Sequence, residues 1–329
     1  MHTNMLSLLS PAARRWLRER GADPDQTDPI PGDASGRRYW RLPNQQLFMH
    51  APPPEDVLPF LRVQHRFMRA GLAVPKVMAV QLHSGFMLLE DLGGVDLKAI
   101  LDADAATEFW MQKSLALIVQ LQQAGKSSCA RPPLPNFSRQ RLGDELALFT
   151  DWYLGRHRGL VLDVTQRQAL HTFFASLMDS ALNQPEVWTH RDFHARNLMV
   201  QSGLERLAMI DFQDAVSGPW TYDLASLLWD RYWDWGQDRR RAWIMGFRKM
   251  LLQHREKVPS EKEFLRSVEW MALQRNLKIL GIFCRLAYRD GKQDYLGLLP
   301  QFQKYVLDGL AVDPTLNSYL PLFRPWLNP

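Results

Sequence analysis

The spacing of apolar residues changes character near residue 92. Ahead of that point they fall in short runs: Tyr39 to Leu42 and Leu47 to His50 flank Pro43-Asn44-Gln45, which predicts a hairpin. After the Pro52-Pro53-Pro54 breaker, Asp56 can cap a helix running through Met68, with Pro59 in its first turn and Gly71 ending it. Two more strands are predicted, Lys76 to Leu82 and Phe86 to Leu89, joined by His83-Ser84-Gly85. Glu90-Asp91-Leu92-Gly93-Gly94 then reads as a connector. Beyond it the spacing is mostly helical: Leu170, Phe173, Phe174, Leu177, Met178 and Leu182 form one wide apolar face. Short strands are predicted at Glu186 to Thr189, Leu198 to Gln201 and Leu207 to Ile210. Helices are predicted at Asp223 to Trp233, Arg239 to Gln253 and Glu261 to Tyr288, and a surface loop at Ser127 to Ser138. The pattern therefore predicts an α+β fold of two lobes. Residues 1–92 make an antiparallel sheet with one helix and end in a hinge, and residues 93–329 are mainly helical.

Composition narrows the classes of function. The chain of 329 residues is 46% apolar and 23% charged, an ordinary globular balance. It has no apolar run long enough for a membrane span. Leu6 to Leu9 are followed at once by Arg14, Arg15, Arg18 and Arg20, which predicts an amphipathic helix and not a secretory signal. Cys129 and Cys284 lie far apart without CxxC spacing, so neither a disulfide framework nor a zinc site is expected, and the expected address is cytoplasmic. The net charge is +5, yet from Arg239 onward 16 Lys/Arg stand against 8 Asp/Glu, a local +8. These basic residues are scattered among helix formers without a nucleic-acid signature, so no nucleic-acid partner is expected. A pocket for an anionic or neutral small molecule suits them better, and no obligate protein partner is indicated.

Two segments carry candidate chemistry. Residues 190–197 read HRDFHARN and residues 209–214 read MIDFQD. Phosphoryl transfer asks a protein mainly to position an acceptor hydroxyl and to neutralise phosphate charge. A carboxylate can orient the hydroxyl, and oxygen ligands can hold Mg²⁺ on ATP. Asp192 and Asn197 stand five apart on a loop between two predicted strands, and Asp211 ends the next strand. The turn at Ser202-Gly203 folds Asn197 and Asp211 toward each other.

With these motifs the sequence resembles the aminoglycoside phosphotransferase and choline kinase superfamily, a branch of the protein-kinase fold, from Gly32 to about Tyr305. The resemblance implies that Asp192 is the catalytic carboxylate, that Asn197 and Asp211 hold Mg²⁺, and that His190 and Asp223 support the catalytic loop. It further implies an ATP phosphate loop at Gly32, Ser35, Gly36, Arg37 and Arg38, and an adenine-binding hinge at Glu90 and Leu92. The strand Lys and helix Glu usual in kinase folds are absent: Leu47-Phe48-Met49-His50 supplies no Lys, and Gln64 and His65 stand near the Glu position. Losing both charges together is physically coherent, because either alone would be unpaired. Arg37 or Arg38 then becomes the expected source of charge for the phosphates.

A narrower likeness, carried by GDASGRRYWRL, Ala51-Pro52-Pro53-Pro54, HRDFHARNLM, IDFQDAVSGP and NLKILGIFCRL, is to the anomeric sugar kinases of bacterial cell-wall recycling. It implies N-acetylmuramate and N-acetylglucosamine as acceptors. A lactyl carboxylate suits Arg275 or Lys278, three apart on one helical face, and His194 and Glu145 are further candidates for substrate contact. The alternatives are another hydroxyl acceptor (an aminoglycoside, choline or an amino alcohol) or a nucleotide-binding scaffold without catalysis.

Overall fold

The computed structural model of the protein describes residues 9–31, 36–104, 106–127, 133–254 and 257–328. The chain forms two compact units, Met1–Ala103 with Arg196–Asp214, and Asp104–Ala195 with Ala215–Pro329.

The first unit opens with α1 (Pro11–Arg18), whose first turn is capped by Ser10 and which buries Trp16 and Leu17. Strands β1 (Asp28–Ile30), β2 (Arg38–Leu42) and β3 (Gln46–His50) follow, then α2 (Leu58–Arg69), β4 (Val77–Gln81) and β5 (Phe86–Glu90). The strands form one antiparallel sheet in the order β1-β2-β3-β5-β4. Asn44 and Gln45 at the β2–β3 turn both take positive φ, as a tight hairpin demands. Phe48 centres the core, its ring 5.9 Å from Trp16, 5.5 Å from Trp40 and 5.5 Å from Phe86. Gly85 meets the carbonyl of Ala51 so closely that an added Cβ would lie 2.0 Å from it. The short α3 (Leu97–Asp102) is capped by Asp96.

The second unit starts with α4 (Thr107–Ser127) and α5 (Arg139–Leu148), which continues into a π-helical stretch, Phe149–His157. Helix α6 (Val164–Leu182) starts with a reciprocal Asp163–Gln166 capping box. It leads to β6 (Glu186–Thr189). The chain then returns to the first unit for the hairpin β7 (Leu198–Gln201) and β8 (Arg206–Met209). Strand β9 (Val216–Pro219) pairs with β6, and helices α7 (Tyr222–Leu228), α8 (Gln237–Leu252), α9 (Glu261–Asp290), α10 (Leu299–Val312) and α11 (Leu320–Leu327) complete the unit. Helix α9 is its axis. It begins with a Ser260–Glu263 capping box, ends at Gly291 with φ +72°, and packs on α5, α6, α7, α8 and α10. Gly281 permits its closest approach, because a Cβ there would sit 2.2 Å from the Leu148 carbonyl carbon.

The α+β class and the antiparallel N-terminal sheet agree with the sequence pattern. The helix expected over Asp223 to Trp233 is shorter, α7 leaving helical geometry at Trp229. The reason is long-range: the Trp229 carbonyl accepts from Arg275, and the Asp230 carboxylate accepts from the backbone N–H groups of Ala195 and Arg231. Residues 128–132 of the expected loop lie outside the described residues. Among the described residues no helix is long and apolar enough to cross a membrane.

Candidate active site

The loop that follows β6 is pinned by carboxylates from distant elements. Asp223 on α7 accepts the N–H of His190 at 2.7 Å and that of Arg191 at 2.9 Å, while Asp230 accepts the N–H of Ala195 at 3.1 Å. Arg191 takes a φ of +73°, a conformation costly for a side chain of its size. Its guanidinium is tied to Glu145 at 2.6 Å. Between these ties Asp192 keeps half its side-chain surface, with a relative exposure of 50%.

Charge around Asp192 is uneven. Partial burial favours the neutral acid, but the His194 imidazole at 3.4 Å, the Arg275 guanidinium and His190 outweigh it and hold the Asp192 carboxyl far below the usual range. Burial lowers His194, yet Asp192 and Asp230 overcome that and raise it. Asp223 behaves in the opposite way. Burial pushes it up to about 7, despite the two N–H groups it accepts and the nearby Arg275.

A second cluster gathers other residues expected at the substrate. Glu145, with 7% of its side chain exposed, accepts from Arg191 at 2.6 Å, Lys278 at 2.9 Å, Gln274 at 3.1 Å and Tyr222 at 3.3 Å. Lys278 also donates to the Tyr222 hydroxyl at 2.8 Å. Burial raises the Glu145 carboxyl, but Lys278 and Arg191 together bring it below the ordinary range. Arg275 is 6% exposed and reaches the Trp229 carbonyl at 3.4 Å. So Asp192, His190, His194, Arg275 and Asp223 form one neighbourhood, and Glu145 and Lys278 join it through Arg191.

In the first unit, the β7–β8 hairpin brings Asn197 beside the residues preceding Asp211: the Ile210 N–H donates to the Asn197 carbonyl at 3.0 Å. Asp211 is exposed, takes a φ of +60° and accepts from Gln213 at 2.8 Å. The next residue anchors it, Phe212 packing on Phe60 and Phe67 at 4.9 and 5.8 Å. Gly32 and Ser35 lie outside the described residues. Just after them, the Glu55 carboxylate accepts the Gly36 N–H at 3.0 Å and pairs with Arg37 at 3.3 Å. Arg37 also hydrogen-bonds Tyr39, a half-buried phenol that feels the charges of Asp211 and Glu55. Arg38 opens β2 opposite His50. Glu90 ends β5 and accepts the Lys76 N–H at 3.1 Å; half-buried Leu92 follows Asp91, whose carboxylate pairs with Arg41 at 2.5 Å.

Sequence reasoning did not single out Glu55, Arg191, Tyr222, Gln274 or Asp230. Arg191 lay inside the HRDFHARN motif, Gln274 directly precedes Arg275, and Glu55 directly follows the triple proline. Tyr222 and Asp230 carried no local signal.

Comparison with known proteins matches the model of a phosphotransferase enzyme family to residues 26–260. The chain is 37% identical over 298 residues to an N-acetylmuramate/N-acetylglucosamine kinase of Pseudomonas aeruginosa, covering 89% of this chain and 86% of that one. A protein of the same description from Neisseria meningitidis is 36% identical, covering 83% and 82%. Among solved structures, the choline kinase LicA of Streptococcus pneumoniae superposes with a TM-score of 0.62 at 14% identity, covering 93% of this chain and 98% of that one. An ADP-bound aminoglycoside phosphotransferase gives 0.59 at 14%, covering 91% and 97%, which places the fold among kinase-like proteins.

Proposed function

The chain belongs to the phosphotransferase enzyme family, and on that premise we propose that it is an ATP-dependent sugar kinase that phosphorylates the anomeric hydroxyl of N-acetylmuramate and N-acetylglucosamine, in the recycling of cell-wall sugars. The observation that carries this reading is the likeness to bacterial kinases of those two sugars over almost nine-tenths of the chain. The half-exposed, ionised Asp192 supports it chemically.

In this reading Asp192 accepts the hydrogen bond of the anomeric hydroxyl and aligns it for in-line attack. An anomeric hydroxyl is more acidic than an ordinary alcohol, so a carboxylate held low is still sufficient as its partner. His194 and Arg275 keep that carboxylate charged, Asp223 fixes the backbone that carries it, and Glu145 holds the neighbouring Arg191 side chain. Asn197 and Asp211 offer the hard oxygen donors that Mg²⁺ takes together with phosphate oxygens. Among the described residues there is no cluster of three or more His, Cys, Asp or Glu able to hold a metal; magnesium bound mainly through nucleotide phosphates needs none. When bound, the ion offsets charge on the phosphates. Arg37, held by Glu55, supplies cationic charge in place of the missing strand lysine. Glu90 and Leu92 line the adenine edge.

The test is ADP release with N-acetylmuramate, N-acetylglucosamine, choline and kanamycin as acceptors, followed by assignment of the phosphorylated carbon by phosphorus-coupled NMR. Release with either amino sugar and phosphate on C1 is the expected result. Turnover confined to choline or kanamycin would overturn the assignment of substrate.

A further inference from the structure

Arg231 follows the end of α7 and belongs to neither of the clusters described above. Its backbone is tied to the catalytic loop: one Asp230 oxygen accepts the Arg231 N–H at 2.6 Å while the other accepts that of Ala195 at 3.1 Å. The side chain is held by different chemistry. Its guanidinium donates to the Tyr232 hydroxyl at 2.7 Å and the Tyr295 hydroxyl at 3.5 Å, and lies 5.0 and 5.7 Å from the centres of those rings. Tyr295 is seated in turn on Phe283 of α9, ring to ring at 5.1 Å. Tyr232 meets His194 edge to face at 6.4 Å, and His194 feels the Arg231 charge.

The charge balance around this side chain is uneven. Neighbouring cations are matched by carboxylates: Arg191 and Lys278 share Glu145, Arg240 and Lys304 share Asp234, and Arg275 bears on Asp192 and Asp223. The Arg231 guanidinium is held by neutral phenols, and among the described residues no carboxylate comes within ion-pair distance of it. A cation partly withdrawn from water is ordinarily matched by an anion. A guanidinium also carries more N–H donors than two phenols accept, and the Arg231 side chain is only partly buried, which leaves donors for a planar anion.

We propose that Arg231 sets specificity for the acceptor, its planar fork binding the lactyl carboxylate by which N-acetylmuramate differs from N-acetylglucosamine. This rests on the sugar-kinase reading above and adds to it the residue that tells the two sugars apart. In N-acetylmuramate a sugar ring separates the reacting hydroxyl on C1 from the lactyl ether on C3. In the protein His194 and Tyr232 separate Asp192 from Arg231. The cations first considered for this carboxylate suit it less: Lys278 is committed to Glu145 and Tyr222, and Arg275 is 6% exposed and bears on Asp192. The two phenols hold the Arg231 fork in place before a ligand arrives, so little side-chain entropy is lost on binding.

The experiment measures kcat and KM by ADP release for the full chain with three acceptors: N-acetylmuramate, its neutral lactyl carboxamide and N-acetylglucosamine. Arg231→Met should raise KM for N-acetylmuramate about tenfold or more, the loss of a charge-assisted pair. With the two neutral acceptors KM should move less than about threefold, which also reports that the variant is folded. Arg231→Lys, the milder change, keeps the charge without the fork and should fall between wild type and Arg231→Met. An unchanged KM for N-acetylmuramate in Arg231→Met overturns the proposal, as does an equal rise for the acid and its carboxamide. Wild-type turnover of neither amino sugar would instead overturn the sugar-kinase reading, and this inference with it.

Discussion

Glu145 and Asp192 are carboxylates of the same unit, both brought below their ordinary range by neighbouring cations, yet their surroundings differ. Glu145 accepts from four side chains within 3.3 Å and keeps 7% of its surface. Asp192 pairs with His194 at 3.4 Å and keeps 50%. A carboxylate saturated by protein donors works as a rivet, because a substrate would have to displace a partner that is itself buried. A carboxylate with half its surface open can still be reached by an incoming hydroxyl. The two sites meet at Arg191, whose guanidinium is tied to Glu145 and whose peptide precedes Asp192.

The sharpest way to break this contrast is to remove each charge without changing shape. Asp192→Asn should lower kcat by about 10³-fold, within the range known for a lost general base, while KM for ATP stays nearly constant. ADP release measures it, and a variant retaining a tenth of wild-type turnover would contradict the role. Glu145→Gln should act first on stability. It leaves Arg191 and Lys278 without their carboxylate, a change that costs about 3–5 kcal/mol in buried pairs. Denaturant titration gives the loss. If stability were instead unchanged and only KM for the sugar rose, Glu145 would be a substrate contact after all.

The same contrast explains what the sequence disclosed. Asp192, Asn197 and Asp211 could be proposed from the sequence because they sit in short motifs with fixed spacing beside apolar strand residues. Of the ties that hold the loop, Asp223 was named through the family resemblance alone; those from Glu145 and Asp230 were not, because they are non-local: Glu145 lies 46 residues from Arg191, and Asp230 lies 35 from Ala195. The helix expected through Trp233 stops at Leu228 for a related reason, since Arg275 claims the Trp229 carbonyl from a different helix. Strands β1 and β9, reading Asp-Pro-Ile and Val-Ser-Gly-Pro, have no alternation to mark them and exist through pairing alone. The positive φ of Arg191 and Asp211 could not be read from residue type. Gly281 could be seen as a glycine, but not as the point where α9 touches the Leu148 carbonyl. Gly281→Ala should cost about 1–3 kcal/mol through that overlap, measured by thermal melting.

Glu55 gives a third carboxylate with which to sharpen the comparison. It resembles Glu145 in holding an arginine, Arg37, but it also accepts a backbone N–H, that of Gly36, and it lies in the other unit. If its work is to place Arg37 for the nucleotide, Glu55→Gln and Arg37→Ala should each raise KM for ATP about tenfold, equivalent to about 1.4 kcal/mol of binding, with kcat little changed. The double variant should be no worse than the worse single one, since both remove one interaction. Additive losses would separate the two residues.

The smallest effect concerns pH. Asp223 is pushed up to about 7 from 3.8 by burial, so between those values the folded state holds a proton that the unfolded state has released. Its contribution is complete below the unfolded value and disappears as pH rises to about 7. His194 is raised as well, through Asp192 and Asp230 against burial. Its contribution is complete below 6.5 and is lost as pH climbs through its folded value. Both act in one direction, so the melting temperature should fall by a few degrees between pH 5.5 and pH 8.5. Lowered groups such as Asp192 and Glu145 act oppositely, but only at more acidic pH, where falling pH removes what they contribute. In Asp192→Asn the larger of the two charges that raise His194 is gone, so the part of the slope above pH 6.5 should flatten while the part below it persists. A slope above pH 6.5 identical in both chains would show that the pairing of His194 with Asp192 does not govern its proton.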